Sequence, residues 1–181
     1  VRELSLHIMD IVENSVAAGA TGVHISVVED TSKNLLRISI KDNGRGIPAP
    51  LLDKVLDPFY TTRTTRRVGF GLSLFREAAR RCDGEFTLQS KEGEGTEVSA
   101  SFRLDHIDLA PLGDMASSMT SLIMGNPEVD FTYTHERNGR AFQIDTRQLR
   151  EELEDLPITH PEVMKYIGDS IRESLEEIKM A

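Results

Sequence analysis

Three places in the chain put chemically capable side chains at telling spacings. Asp10 and Asn14 lie four residues apart, so on a helix both point the same way. DNGRGIP at 42–48 leaves a strand-like run through Asp42, Asn43, Gly44, Arg45 and Gly46. Asp, Asn and Gly tolerate left-handed backbone and make side-chain turns, so a plain turn accounts for these residue types. The same stretch also offers a carboxylate acceptor beside two glycines, where backbone can approach a flat ligand. GFGLSL at 69–74 opens a helical pattern, and the N–H groups at a helix N-terminus attract phosphate. Arg63, Arg66 and Arg67 stand just before it and add positive charge, although loop arginines are often simply solvated.

The elements that must position these residues are legible from periodicity. Residues 3–18 read as a helix, with Leu4, Ile8, Met9, Ile11, Val12 and Val16 on one broad arc. His7, Asp10 and Asn14 share a narrow polar stripe with Glu3, whereas Glu13 points away from it. Gly19 is a natural stop. GVHISVVE and NLLRISI read as strands joined by DTSKN, and Leu51–Leu56 as a short helix. DPFYTTRTTRRVGFG is loop-like, and GLSLFREAARRC is helical. EFTLQS and TEVSASFRL read as strands joined by the Gly-rich turn KEGEG. Helices gathered on one face of a mostly antiparallel sheet make an α+β, two-layer α/β sandwich over residues 1–104.

Residues 105–181 form a second segment, predicted as a C-terminal β-hairpin and helical appendage. PLGDMASSMTSLIMG reads as a helix. DFTYTH and RAFQID flank Asn138-Gly139, a strong hairpin signal. TRQLREELEDL reads as a short acidic helix. After Pro161 a last helix carries Val163, Ile167, Ile171, Leu175 and Ile178 in one stripe, either core packing or a partner surface.

Composition narrows the function classes. The net charge of −9 disfavours bulk attraction to nucleic acid or an anionic membrane. Cys82 is the only cysteine, which excludes an internal disulfide and any CxxC site. No apolar run approaches a membrane span and nothing resembles a signal peptide, so the expected location is cytoplasmic. The chain begins at Val1 without an initiator Met, which leaves room for residues upstream.

Four stretches occur in order: DIVENSVAAGA at 10–20, DNGRGIP at 42–48, DPFYTTR with GFGLSL at 57–74, and GEGTEV at 93–98. Together they resemble the Bergerat-type ATP-binding fold of gyrase, MutL mismatch-repair ATPases, sensor histidine kinases and anti-sigma serine kinases. The resemblance covers about residues 3–104. It implies ATP and Mg²⁺ as ligands. Adenine presents an exocyclic amine, and Asp42 would accept from it while Gly44 and Gly46 let backbone approach the base. The resemblance makes Asn14 the Mg²⁺ ligand, Thr96 a sheet-side residue near the phosphates, and Asp10 the general base, where many members carry Glu. His7, on the same stripe, either orients Asp10 or is an ordinary partly buried histidine. Gly69, Gly71 and Leu72 fall in the phosphate-binding box, with Arg63, Arg66 and Arg67 in the preceding lid. Arg67 stands where kinase-like members usually carry another Gly, which shifts phosphate gripping toward arginine.

DPFYTTR with GFGLSL looks most like sensor histidine kinases, and ENSVAAGA more like MutL. The chain starts almost at the first helix of the fold, without the phosphoacceptor helix of a complete histidine kinase. The 105–181 segment is too short for the transducer domain of MutL or gyrase. The resemblance therefore implies a stand-alone ATP-binding module whose 105–181 segment docks a protein partner. Three activities stay open: a protein kinase acting in trans, a slow ATPase switch, or a non-catalytic ATP sensor. Small proteins of this look accompany iron–iron hydrogenase subunits in anaerobic bacteria, which makes an anaerobic redox enzyme one candidate partner.

Overall fold

Alternation of apolar and polar residues sets the first two strands, β1 (Gly22–Asp30) and β2 (Leu35–Asp42). Val23, Ile25 and Val27 of β1, and Leu36, Ile38 and Ile40 of β2, are all buried, which is the period of a half-covered sheet. The computed structural model describes residues 2–57, 59 and 71–181. Its other strands are β3 (Phe86–Lys91), β4 (Gly95–Arg103), β5 (Asp130–Arg137) and β6 (Arg140–Asp145). They form one six-stranded sheet in the order β3-β4-β2-β1-β5-β6. Every pairing is antiparallel except β1 with β5.

Five α-helices accompany the sheet in the described residues: α1 (Leu4–Ala17), α2 (Gly71–Arg81), α3 (Met115–Gly125), α4 (Thr146–Leu153) and α5 (Pro161–Ile178). The predicted short helix at 51–56 is instead two single 3₁₀ turns, Ala49–Leu51 and Lys54–Leu56. Pro50 lies inside the first of these turns, where a proline fits a helical start. α1 has no side-chain cap at Glu3. Two of its first-turn N–H groups are satisfied from the 105–114 linker, Leu4 N–H by the Pro111 carbonyl at 2.9 Å and Ser5 N–H by that of Leu112 at 2.8 Å.

The predicted hairpin at Asn138-Gly139 is present, and it extends the main sheet from the β1 side. One hydrophobic core runs across residue 104. It joins Ile8, Ile11, Phe75 and Phe102 to Met119, Ile123, Phe131, Tyr133, Ile167 and Ile171. In the α5 stripe, Val163, Ile167, Ile171 and Ile178 are buried and Leu175 is packed against the core. Core packing is thus what that stripe does. The architecture is α+β, a mixed sheet packed with helices. No helix among the described residues is long and apolar enough to cross a membrane.

Candidate nucleotide site

Asp42 closes β2, directly opposite Thr96 of β4 and Val23 of β1. It is half-buried, and both carboxylate oxygens are engaged. Ser15 Oγ donates to one at 2.6 Å, and Gly44 N–H donates to the other at 2.8 Å. Ser15 is buried on α1, so the helix fixes the carboxylate from one side and the turn from the other. Thr96 is half-buried, and its hydroxyl pairs with Ser90 Oγ at 2.7 Å. Ser90 Oγ also accepts from Ile47 N–H at 2.8 Å, tying the DNGRGIP turn to the β3–β4 hairpin.

The glycines of this turn answer first to the protein's own backbone. Gly46 has φ +74°, and a Cβ there would lie 2.1 Å from the Lys91 carbonyl oxygen. A Cβ on Gly44 would meet the Ala18 carbonyl oxygen at 2.9 Å. Gly46 is therefore required by the fold before any base arrives. Asn43 completes the turn, its side-chain oxygen accepting from Thr21 and Gly22 N–H, each at 2.9 Å.

On the same helix as Ser15, Asp10 and Asn14 lie against the opening of α2. A Cβ on Gly71 would lie 3.4 Å from the Asp10 Cβ and 3.6 Å from Asn14 Nδ2. These are ordinary van der Waals separations, so the α2 N-terminus lies against the polar stripe of α1. The N–H groups and the dipole at a helix N-terminus favour an anion. Asn14 is exposed, and Asp10 is half-buried and ion-paired with Arg2. Leu72 is half-buried and packs against the core, so it anchors the first turn of α2 from beneath. Arg63, Arg66, Arg67 and Gly69 lie outside the described residues.

His7 does not orient Asp10 through a hydrogen bond. It is buried against Phe75, ring centroids 5.6 Å apart, and its Nδ1 has no partner among the described residues. Burial first, and the Arg2 charge second, push its pKa down to about 4, against the smaller opposing effect of Asp10. The ring is neutral near pH 7 and serves packing. Glu13 is exposed, as its wheel position predicts.

The sequence reading missed three residues that hold the site together: Ser15, Ser90 and Gly95. Ser15 had a usable signal, a small polar residue on an otherwise apolar helical arc. Gly95 has φ +120°, and a Cβ there would lie 2.1 Å from the Asp42 carbonyl oxygen, a closeness no spacing rule reveals. Ser90 becomes visible only once the β3–β4 register sets it opposite Thr96.

The donor set suits a Mg²⁺–nucleotide. A fixed carboxylate acceptor stands at one end, a helix N-terminus with side-chain oxygens at the other, and hard oxygen donors are what Mg²⁺ takes. No group of three or more His, Cys, Asp or Glu side chains forms a metal cage among the described residues. Mg²⁺ needs no such cage when phosphates supply part of its shell.

Sensor kinase WalK of Staphylococcus haemolyticus is 34% identical over 95 residues, half of this chain and 16% of its own length. Sensor histidine kinase WalK of Bacillus subtilis is 33% identical over 97 residues, again half of this chain and 16% of its own. The chain thus spans about a sixth of these curated relatives. The crystal structure of the N-terminal domain of a DNA repair protein superposes with a TM-score of 0.54. It is 16% identical and covers 80% of this chain and 52% of its own, a likeness of fold alone. Residues 1–106 match the family described as "Histidine kinase-, DNA gyrase B-, and HSP90-like ATPase", a span that contains every candidate residue above. The chain belongs to that family of Bergerat-fold, histidine-kinase-like ATPases.

Proposed function

We propose that the protein is an ATP- and Mg²⁺-binding regulatory kinase that phosphorylates a protein partner in trans. The observation that carries this reading is the seating of the α2 N-terminus at Gly71 directly over Asp10 and Asn14. In this reading phosphate, metal ligand and base share that region, on the helix whose Ser15 holds the Asp42 carboxylate.

In this reading Asp42 accepts from the adenine amine, and Ser15 and Gly44 N–H keep its oxygens aimed. Gly44 and Gly46 form the floor beside the base, and Thr96 lines the sheet side. The α2 N–H groups from Gly71 and Leu72 onward, with Gly69, Arg63 and Arg67, cradle the phosphates. Asn14 offers its amide oxygen to Mg²⁺. When bound, that ion neutralises charge on the transferring phosphoryl group. Asp10 takes the proton from the attacking hydroxyl of the partner, or from water.

The 105–181 segment is the proposed docking region, and Tyr166 and Met124 are large apolar side chains exposed on it. A hydrogenase-type redox enzyme is one candidate partner. The net charge of −9 fits a protein partner better than nucleic acid or a membrane surface, and fits a cytoplasmic setting.

The test is incubation of the protein with Mg²⁺ and γ-labelled ATP, with and without extract from its source. Label on a second protein is expected, lost in Asp10→Asn while ATP binding persists. Release of label only as free phosphate would replace the kinase by an ATPase switch. Reversible retention without transfer or release would replace it by an ATP sensor. Unchanged transfer in Asp10→Asn would remove Asp10 from the mechanism.

A further inference from the structure

Arg2 sits outside every motif that drew attention to the site, yet its guanidinium is paired with the Asp10 carboxylate. The pairing is held in place by the fold. Chain entry into α1 is pinned by the bonds from Leu4 N–H to Pro111 and from Ser5 N–H to Leu112. Gly113, at φ +90°, packs so close that a Cβ there would lie 2.4 Å from Glu3 Oε2 and from Ser5 Oγ. The second segment therefore sets where Arg2 lies.

An ion pair this exposed, 38% for the Arg2 side chain and 35% for Asp10, contributes little to folding. Its consequence is local. A nucleotide phosphate arriving at the α2 N-terminus would meet the Asp10 carboxylate, a like charge. Neutral His7 offers no compensation. Arg2 is the one cation that the described residues pair with Asp10. A guanidinium carries five N–H donors in a planar fork, and the bond to Asp10 Oδ2 uses one nitrogen. The rest can serve phosphate oxygens, which match that fork.

We infer that Arg2 is a nucleotide-reading residue that bridges Asp10 to the terminal phosphate of ATP, so that it both positions Asp10 and distinguishes ATP from ADP. The inference rests on the proposed ATP site and adds to it a residue from outside the recognised motifs. It also gives the second segment a role in nucleotide recognition, because the Pro111–Gly113 stretch holds the chain next to Arg2.

The test is titration calorimetry of the full chain with Mg²⁺–ATP and Mg²⁺–ADP, for wild type, Arg2→Ala and Arg2→Lys, with turnover measured in parallel. Loss of a charge-assisted contact is expected to weaken ATP by roughly 10-fold in Arg2→Ala while ADP changes less than about 2-fold. Arg2→Lys should recover part of the ATP preference, and added guanidinium ion should partly restore turnover to Arg2→Ala. Equal weakening of ATP and ADP would reduce Arg2 to a structural role and overturn the inference. Unchanged binding of both would make the pair a spectator. Faster turnover in Arg2→Ala would make Arg2 a brake on Asp10 instead. Absence of ATP binding by wild type would overturn the nucleotide site itself and Arg2 with it, an outcome distinct from ATP binding that ignores Arg2.

Discussion

His7 shows how a residue on a polar stripe can belong to the core. Its ring is buried, and its folded pKa of about 4 lies below the ordinary value of 6.5. The unfolded chain therefore binds more protons than the folded one between those values, so stability falls as pH drops through that window. The shift corresponds to about 2 kcal/mol once solvent screening is allowed for. In His7→Leu, urea unfolding at pH 7 and pH 4 should show an acid loss smaller by about that amount. An identical loss would mean that His7 carries no buried-neutral penalty. Glu29 acts in the same sense at lower pH, for a different reason. The hydrogen bond from buried His135, 2.8 Å long, is the largest cause that lowers its pKa. That group stabilises the fold above its unfolded value, and the contribution is lost as pH falls. Asn14 makes a separate claim at this scale: Asn14→Ala should weaken nucleotide binding with Mg²⁺ far more than without it. Equal loss under both conditions would argue against a ligand role.

At the scale of elements, periodicity located α1, α2 and the six strands, because each buries one face and the repeat of apolar residues records it. It also brought Asp10 and Asn14 to one stripe and Asp42 to a strand end. It could not see the contacts made across elements. Ser15 to Asp42 spans 27 residues, and Ser90 meets Thr96 only through strand register. The 51–56 stretch is two 3₁₀ turns and not the predicted helix, a break that apolar spacing over six residues does not record. Gly95 is the sharpest case of a residue set by register. Gly95→Ala forces a Cβ into the Asp42 carbonyl at φ +120°, so it should destabilise the fold by about 3 kcal/mol or more. A variant within about 0.5 kcal/mol of wild type would show that β2 and β4 can part there without cost.

For the whole molecule, the family match ends at residue 106 while the sheet and core continue. β5 covers the β1 side of the sheet, and α3 and α5 cover its inner face through Met119, Ile123, Ile167 and Ile171. The protein should therefore unfold in one transition, with Ile171→Ala costing about 2–5 kcal/mol and shifting that single transition. Two separate transitions, with only one moved by Ile171→Ala, would divide the core at the linker. This continuity is also how the second segment reaches the site, through Pro111 and Leu112 at the start of α1. The central claim is that the region between α1, the start of α2 and the ends of β2 and β4 is an ATP site organised by Asp42. Its most direct measurement is calorimetric titration of Mg²⁺–ATP into wild type and Asp42→Asn, with both shown folded by their unfolding curves. Saturable binding to wild type and none to Asp42→Asn is the expected result. Equal affinity in the two proteins, or no binding to wild type, would contradict it.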